Sequence, residues 1–82
     1  MPCFYFDLDD GHGVQRDDVG TECRSPEEAH DQAISALAHV FKDEAQGGEP
    51  RDCGVLVKDS QGRPVFRATL SFVGRWLTDR EM

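Results

Sequence analysis

Basic residues, cysteine pairs and long apolar runs are all scarce in this 82-residue sequence. Nine Lys and Arg stand against sixteen Asp and Glu, a net charge of −7 at pH 7. Such a surface repels phosphate backbones and anionic headgroups within a Debye length of roughly 8–10 Å, so direct binding to nucleic acid or to a membrane is not expected. A basic protein is the better electrostatic match. Cys3, Cys23 and Cys53 are odd in number and far apart, with no CxxC pair, which argues against a disulfide framework and fits a reducing compartment. The start, Met1-Pro2-Cys3-Phe4, has neither the basic segment nor the apolar run of a secretory leader, and no stretch approaches the ~18–20 apolar residues that cross a bilayer. A cytoplasmic location is the expectation. The spacings of a catalytic triad, a phosphate loop, a closed metal site and a base-reading helix are missing too.

What is present organises as one small α+β domain, because a chain this short buries only about 60% of its unfolded surface and cannot divide that between two cores. Cys3 to Leu8 alternates and is aromatic, predicting a strand with Phe4, Phe6 and Leu8 on one face and Cys3 and Tyr5 on the other. Asp9-Asp10-Gly11-His12-Gly13 has turn chemistry, and Val14-Gln15-Arg16 returns as a short strand. Asp17-Asp18-Val19-Gly20 predicts a second turn with Gly20 left-handed, and Thr21 to Arg24 leads into a helix. Ser25 caps that helix, Pro26 suits its first position and Glu28 completes a capping box. Ala29, Ala33, Ala36, Leu37, Val40 and Phe41 form its apolar stripe, with Asp31, Ser35, His39 and Lys42 opposite; Gly47-Gly48 and Pro50 end it. Cys53 to Lys58 and Val65 to Phe72 make a second hairpin around Asp59-Ser60-Gln61-Gly62. The expected order is β-β-α-β-β: an antiparallel sheet of about four strands, one helix over about 26–46 on one face, a domain of residues 1–73 and a C-terminal tail of 74–82.

Candidate chemistry is thin. Asp7, Asp9, Asp10 and His12 surround one turn, but an EF-hand loop started at Asp7 meets Gly11 at its fifth position and Asp18 at its twelfth, so it fails twice. Asp17 and Asp18 are adjacent in a turn, where one of them fixes the amides of Gly20 or Thr21 rather than serving as an acid–base pair. None of the histidines neighbours a cysteine in sequence, so no thiol nucleophile is indicated, and His30 reads as a partly buried ring on the helix. The expectation is a non-enzyme without cofactor or metal.

The opening Phe4-Tyr5-Phe6-Asp7, the run Asp17-Asp18-Val19-Gly20-Thr21-Glu22, the pair Glu28-Ala29 and the hairpin Asp59-x-x-Gly62-Arg63-Pro64-Val65 resemble a family of short bacterial proteins, abundant in alphaproteobacteria, catalogued as a domain of unknown function. The resemblance spans nearly all of residues 1 to 73 and implies a fold and a bacterial origin, without an activity. Thr21, Glu27-Glu28-Ala29 and the Ala-rich helix are also similar to the partial ribonuclease-H-like part of HicB-type antitoxins, in which an acidic protein sequesters a small basic toxin; the DNA-binding segment often appended there has no counterpart.

One helix covers one sheet face and leaves the other open. Tyr5, Leu56 and Val65, with Trp76 and Leu77 from the tail, are the expected partner or dimer surface, and Asp17, Asp18, Gly20, Thr21 and Glu22 form a motif loop of structural or binding role. The functional expectation is a non-catalytic interaction module that self-associates as a dimer. The alternatives are an antitoxin-like regulator of a small basic partner and, more remotely, a small metal-dependent enzyme.

Overall fold

In the computed structural model, which describes residues 1–46 and 52–78, the elements are β1 (Cys3–Asp9), β2 (Val14–Gln15), β3 (Thr21–Glu22), α1 (Pro26–Gln46), β4 (Cys53–Lys58) and β5 (Pro64–Leu70). The strands make one antiparallel sheet of order β2-β1-β4-β5, with β3 also on β1. The α+β class and the single helix agree with the sequence reading; the sheet has five strands rather than four. The reason is local. Leu8 pairs with Gln15 and Phe4 with Thr21, so residues 5–7 of β1 face residues 16–20 on the returning chain. Those extra residues buckle outward and divide the edge strand into β2 and β3. Thr21 and Glu22 are thus paired residues, not a simple lead into the helix, and the pairing runs on through the Cys23 N–H to the Pro2 carbonyl at 3.0 Å.

The helix begins as its cap predicts, with one exchange of partners. Ser25 Oγ accepts from the Glu28 N–H at 3.2 Å, but the Glu28 carboxylate reaches back to the Arg24 N–H at 2.9 Å and to the Arg24 guanidinium, one residue earlier than the usual box. The residues expected to end the helix, Gly47, Gly48 and Pro50, lie outside the described ones. Ala29, Ala33 and Leu37, spaced four apart, are buried against Phe4, Cys23, Cys53, Val55 and Val57, and Phe6, Leu8, Val40, Phe41, Phe66 and Ala68 pack around them half-covered. Two alanines in the first half of the stripe let the helix lie close to the sheet, so apart from Phe4 and Leu37 the buried core is made of Ala, Cys and Val.

The second hairpin holds its expected turn, with Gly62 at φ 81° and the Asp59 carboxylate accepting from the Gln61 and Arg63 amides, both at 2.9 Å. Its register is interrupted between Val57 and Lys58: Val57 pairs with Phe66 and Lys58 with Pro64, which leaves Val65 as the extra residue of a bulge. Strict alternation therefore fails at Val65. β5 ends at Leu70, before the expected Phe72, whose ring still approaches Phe41 with centroids 5.9 Å apart. No helix among the described residues is long and apolar enough to cross a membrane.

Because Leu37 is 2% exposed at the centre of this small core, Leu37→Ala is expected to cost about 2–5 kcal/mol of unfolding free energy. His39→Ala, on the opposite face, should change it by less than about 0.5 kcal/mol. Urea titration of both variants checks the contrast.

Candidate functional site

The motif run Asp17–Glu22 sits where the edge strand breaks, and Asp17 closes the break. Its carboxylate lies between the two short ladders, Oδ2 accepting from the Phe6 N–H at 3.1 Å and Oδ1 from the Val19 and Gly20 N–H groups at 3.0 and 2.9 Å. The Phe6 amide would otherwise have lost its cross-strand acceptor. Asp7 works from the other side: Oδ1 accepts from the Asp17 N–H at 3.0 Å, and Oδ2 meets Lys58 Nζ at 2.8 Å. Lys58, Asp7 and Asp17 thereby tie the central strand β4 through β1 to the loop. Asp7 is 6% exposed, and the Lys58 ammonium holds its carboxyl below the usual carboxylate range despite burial. For Asp17, burial pushes the pKa up, but the amides of Gly20, Phe6 and Val19 outweigh it and the net direction is down.

Gly20 is required twice over. Its φ is +82°, and a Cβ there would stand 2.6 Å from Cys3 Sγ and 2.9 Å from Tyr5 Cε2. Tyr5 pairs with Lys58 on the same open sheet face as Leu56, where its ring packs half-buried on this glycine, and a hydrogen bond with Cys3 pushes its phenol upward. Asp18, Thr21 and Glu22 are exposed. Asp17 and Gly20 thus form the structural half of the motif.

The acidic turn is similarly engaged. Asp9 Oδ1 accepts from the Gly11 N–H, Asp10 Oδ1 accepts from the His12 and Gly13 N–H groups, and His12 Nε2 lies 2.8 Å from Glu44 on the helix. No group of three or more His, Cys, Asp or Glu side chains among the described residues is arranged to hold a metal ion. Cys23 and Cys53 are buried, and burial raises both thiols, the reverse of what activates a nucleophile. His30 stacks edge-on against Phe66 at 4.7 Å.

Of the residues expected to share one surface, the strand pairing places Tyr5 and Leu56 together on the open face and Val65 apart from them. Leu56 lies on the open face of the sheet, in a row between Asp7 and Arg67. Val65 is turned by its bulge to a cleft it lines with Pro26, Ala29, His30 and Phe66, on the helix side. Trp76 and Leu77 are 73% and 91% exposed. A different pattern emerges. Val65, Leu70, Phe72, Val73, Trp76 and Leu77 are six of the ten exposed large apolar side chains among the described residues, all in β5 and the segment after it. Residues 60–78 also contain Arg63, Arg67 and Arg75 and no acidic residue, whereas fourteen of the sixteen acidic residues precede Ser60. This segregation is visible in the linear sequence, but a whole-chain charge hides it.

Removing the Asp17 carboxylate strands the Phe6, Val19 and Gly20 amides, so Asp17→Ala is expected to lower stability by about 2–3 kcal/mol, while Asp18→Ala stays within about 0.5 kcal/mol. Gly20→Ala should cost at least about 1–2 kcal/mol from its φ alone. Urea titration at pH 7 separates the three. Asp7 and Asp17 have lowered folded pKa values, so their contribution is complete above the unfolded carboxylate pKa near ~4 and is lost as pH falls through the lower folded values. Stability should hold between about pH 7 and 5 and decline below about pH 4, with a shallower decline in Asp17→Asn.

No curated protein and no solved structure shows significant similarity to the chain. A family model does match, over residues 3–71, which takes in every strand, the helix, the Asp7–Asp17 tie and the Asp59–Arg63 turn. By that match the chain belongs to the family described as Domain of unknown function (DUF6894).

Proposed function

We propose that this chain is a non-catalytic protein-interaction module that associates with a second copy of itself through β5 and the segment after it. One observation supports this above the others: exposed apolar side chains and acid-free positive charge coincide over residues 60–78 of an otherwise acidic chain. β5 is an edge strand of seven residues with no neighbour on its outer side among the described residues, and an unpaired ladder next to apolar side chains is a template for another chain. Charge selects the partner. Arg67 and Arg75 of one copy are attracted to the acidic body of a second, a local attraction that offsets the mutual repulsion of two chains of net charge −7 each. The non-catalytic character is supported by the use of Asp7, Asp10, Asp17 and Asp59 as acceptors for backbone amides and by the raised thiols of Cys23 and Cys53.

The acidic body also favours a second reading, a regulator that holds a small basic protein as antitoxins do. A neighbouring reading frame encoding such a protein, toxic when expressed alone, is what that reading requires.

Sedimentation equilibrium of the full chain tests the first reading. The expected result is a mass that rises with concentration from monomer to dimer, falls back as salt is raised, and stays monomeric in a Trp76→Ser, Leu77→Ser double variant. Leu56→Thr, on the open face, should leave the association unchanged. A monomeric mass at every accessible concentration would end the proposal.

A further inference from the structure

On the sheet face away from the helix, the register lays out charge in rows. Asp7, Leu56 and Arg67 stand side by side across β1, β4 and β5, and Arg16, the residue after β2, lines the same depression from the outer edge. The next row is Val14, Asp9, Gly54 and Thr69, with Asp52 beyond it. Together they line a depression of about 380 Å³. The sign of charge changes along it: arginines at one row, free carboxylate oxygens at the next, about 7 Å away along the strands. Lys58 and Asp7 neutralise each other at 2.8 Å, but no ion pair or hydrogen bond among the described residues engages Arg16, Arg67 or Asp52, and Asp9 uses a single oxygen, on Gly11.

Gly54 is the second observation. It sits inside the central strand β4, where glycine costs roughly 0.5–1 kcal/mol through its extra unfolded freedom. Nothing among the described residues requires it. Its φ lies outside the left-handed region, and a Cβ would find only the Ala68 carbonyl oxygen at 3.4 Å and Thr69 Oγ1 at 3.9 Å, which are ordinary contacts. The missing side chain would project into the floor of the depression, between the arginine row and the acidic end. A glycine that the fold tolerates at a cost, in the floor of a charged hollow, is accounted for by something that approaches the backbone there.

We propose that this depression binds a small zwitterion, a free α-amino acid, whose carboxylate meets Arg16 and Arg67 and whose ammonium meets Asp9 and Asp52. Arg16 and Arg67 line the one depression from its two sides, and arginine side chains of about 6–7 Å each can reach in toward one carboxylate between them. A simple anion fits less well, because Asp9 and Asp52 stand beside it; a simple cation meets the arginines. The volume lies at the small end of ligand sites, in keeping with a ligand of amino-acid size.

Amide NMR of the full chain, with the twenty free L-amino acids added singly and with acetate, methylammonium and phosphate as controls, tests the assignment. At least one amino acid should shift the Gly54, Leu56 and Thr69 amides saturably at millimolar concentration, under conditions where the single-charge controls do not. Gly54→Val should abolish that response while raising Tm by roughly 4 °C, since it removes the glycine cost and fills the hollow. Arg67→Gln, which leaves the backbone alone, should weaken binding about tenfold, the loss of one charge-assisted contact. Absence of a saturable response to any amino acid, an equal response to acetate or phosphate, or undiminished binding in a folded Gly54→Val protein would overturn the proposal.

Discussion

The carboxylate of Asp17 takes the place of a missing piece of edge strand, and the rest of the sheet is arranged around that substitution. With β2 and β3 only two residues each, neither would persist alone beside β1, because a two-residue ladder gains too little to offset the ordering of its backbone. The side chain of Asp17 bridges them by receiving the Phe6 amide from the strand and two amides from its own loop. Asp7 then fixes the Asp17 backbone while its other oxygen is held by Lys58 on β4. A chain of charge-assisted contacts runs from the central strand to the outermost loop, each group positioned by the last. Gly20 completes it by letting the chain turn under Tyr5 and Cys3 without a Cβ.

Such a tie matters more in a small core than in a large one. Alanines at positions 29 and 33 bring the helix close over β4 and β5, and the half-covered rings and methyls of Phe6 and Leu8 are left toward the β1 edge. Where the edge strand is broken the cross-strand ladder is interrupted and Phe6 and Leu8 are only half-covered. Polar bonds hold the two short strands there, which gives a physical reason for Asp7 and Asp17 to lie at this place.

Much of this was legible in the sequence wherever a period or a cap reports one element at a time. The helix, β4 and the Asp59 turn follow from spacing, from Ser25 with Glu28 and from a glycine at a left-handed position. Two features were not legible, for one reason: both depend on which strand lies alongside. Asp17 has the local chemistry of a turn former, and only the β1 register reveals that its acceptor serves Phe6 eleven residues earlier. Val65 belongs to an alternating run, and only the pairing of Lys58 with Pro64 shows that the alternation slips there. That slip takes Val65 off the face inferred for it from strict alternation, while Tyr5 and Leu56 keep theirs. Charge segregation, by contrast, needs no structure at all, since residues 60–78 lack an acid in a chain that has sixteen.

The two edges of the sheet are treated in opposite ways, and the contrast bears on association. At the β2–β3 edge the ladder is short, buckled by a bulged loop and fenced by Asp17 and Asp18, all devices that keep another strand from docking. At the β5 edge a seven-residue strand, bulged only at Val65, leads on into Phe72, Val73, Trp76 and Leu77 without a negative charge. A protein that had merely to avoid aggregation would gain from protecting both edges. Here one edge is closed at the cost of a broken strand while the other carries apolar and basic groups together. If the open edge met a copy of itself with the two-fold axis at position 67, Arg67 would face Arg67; an offset or exchanged arrangement, basic segment against acidic body, would remove that repulsion and give such an association a direction.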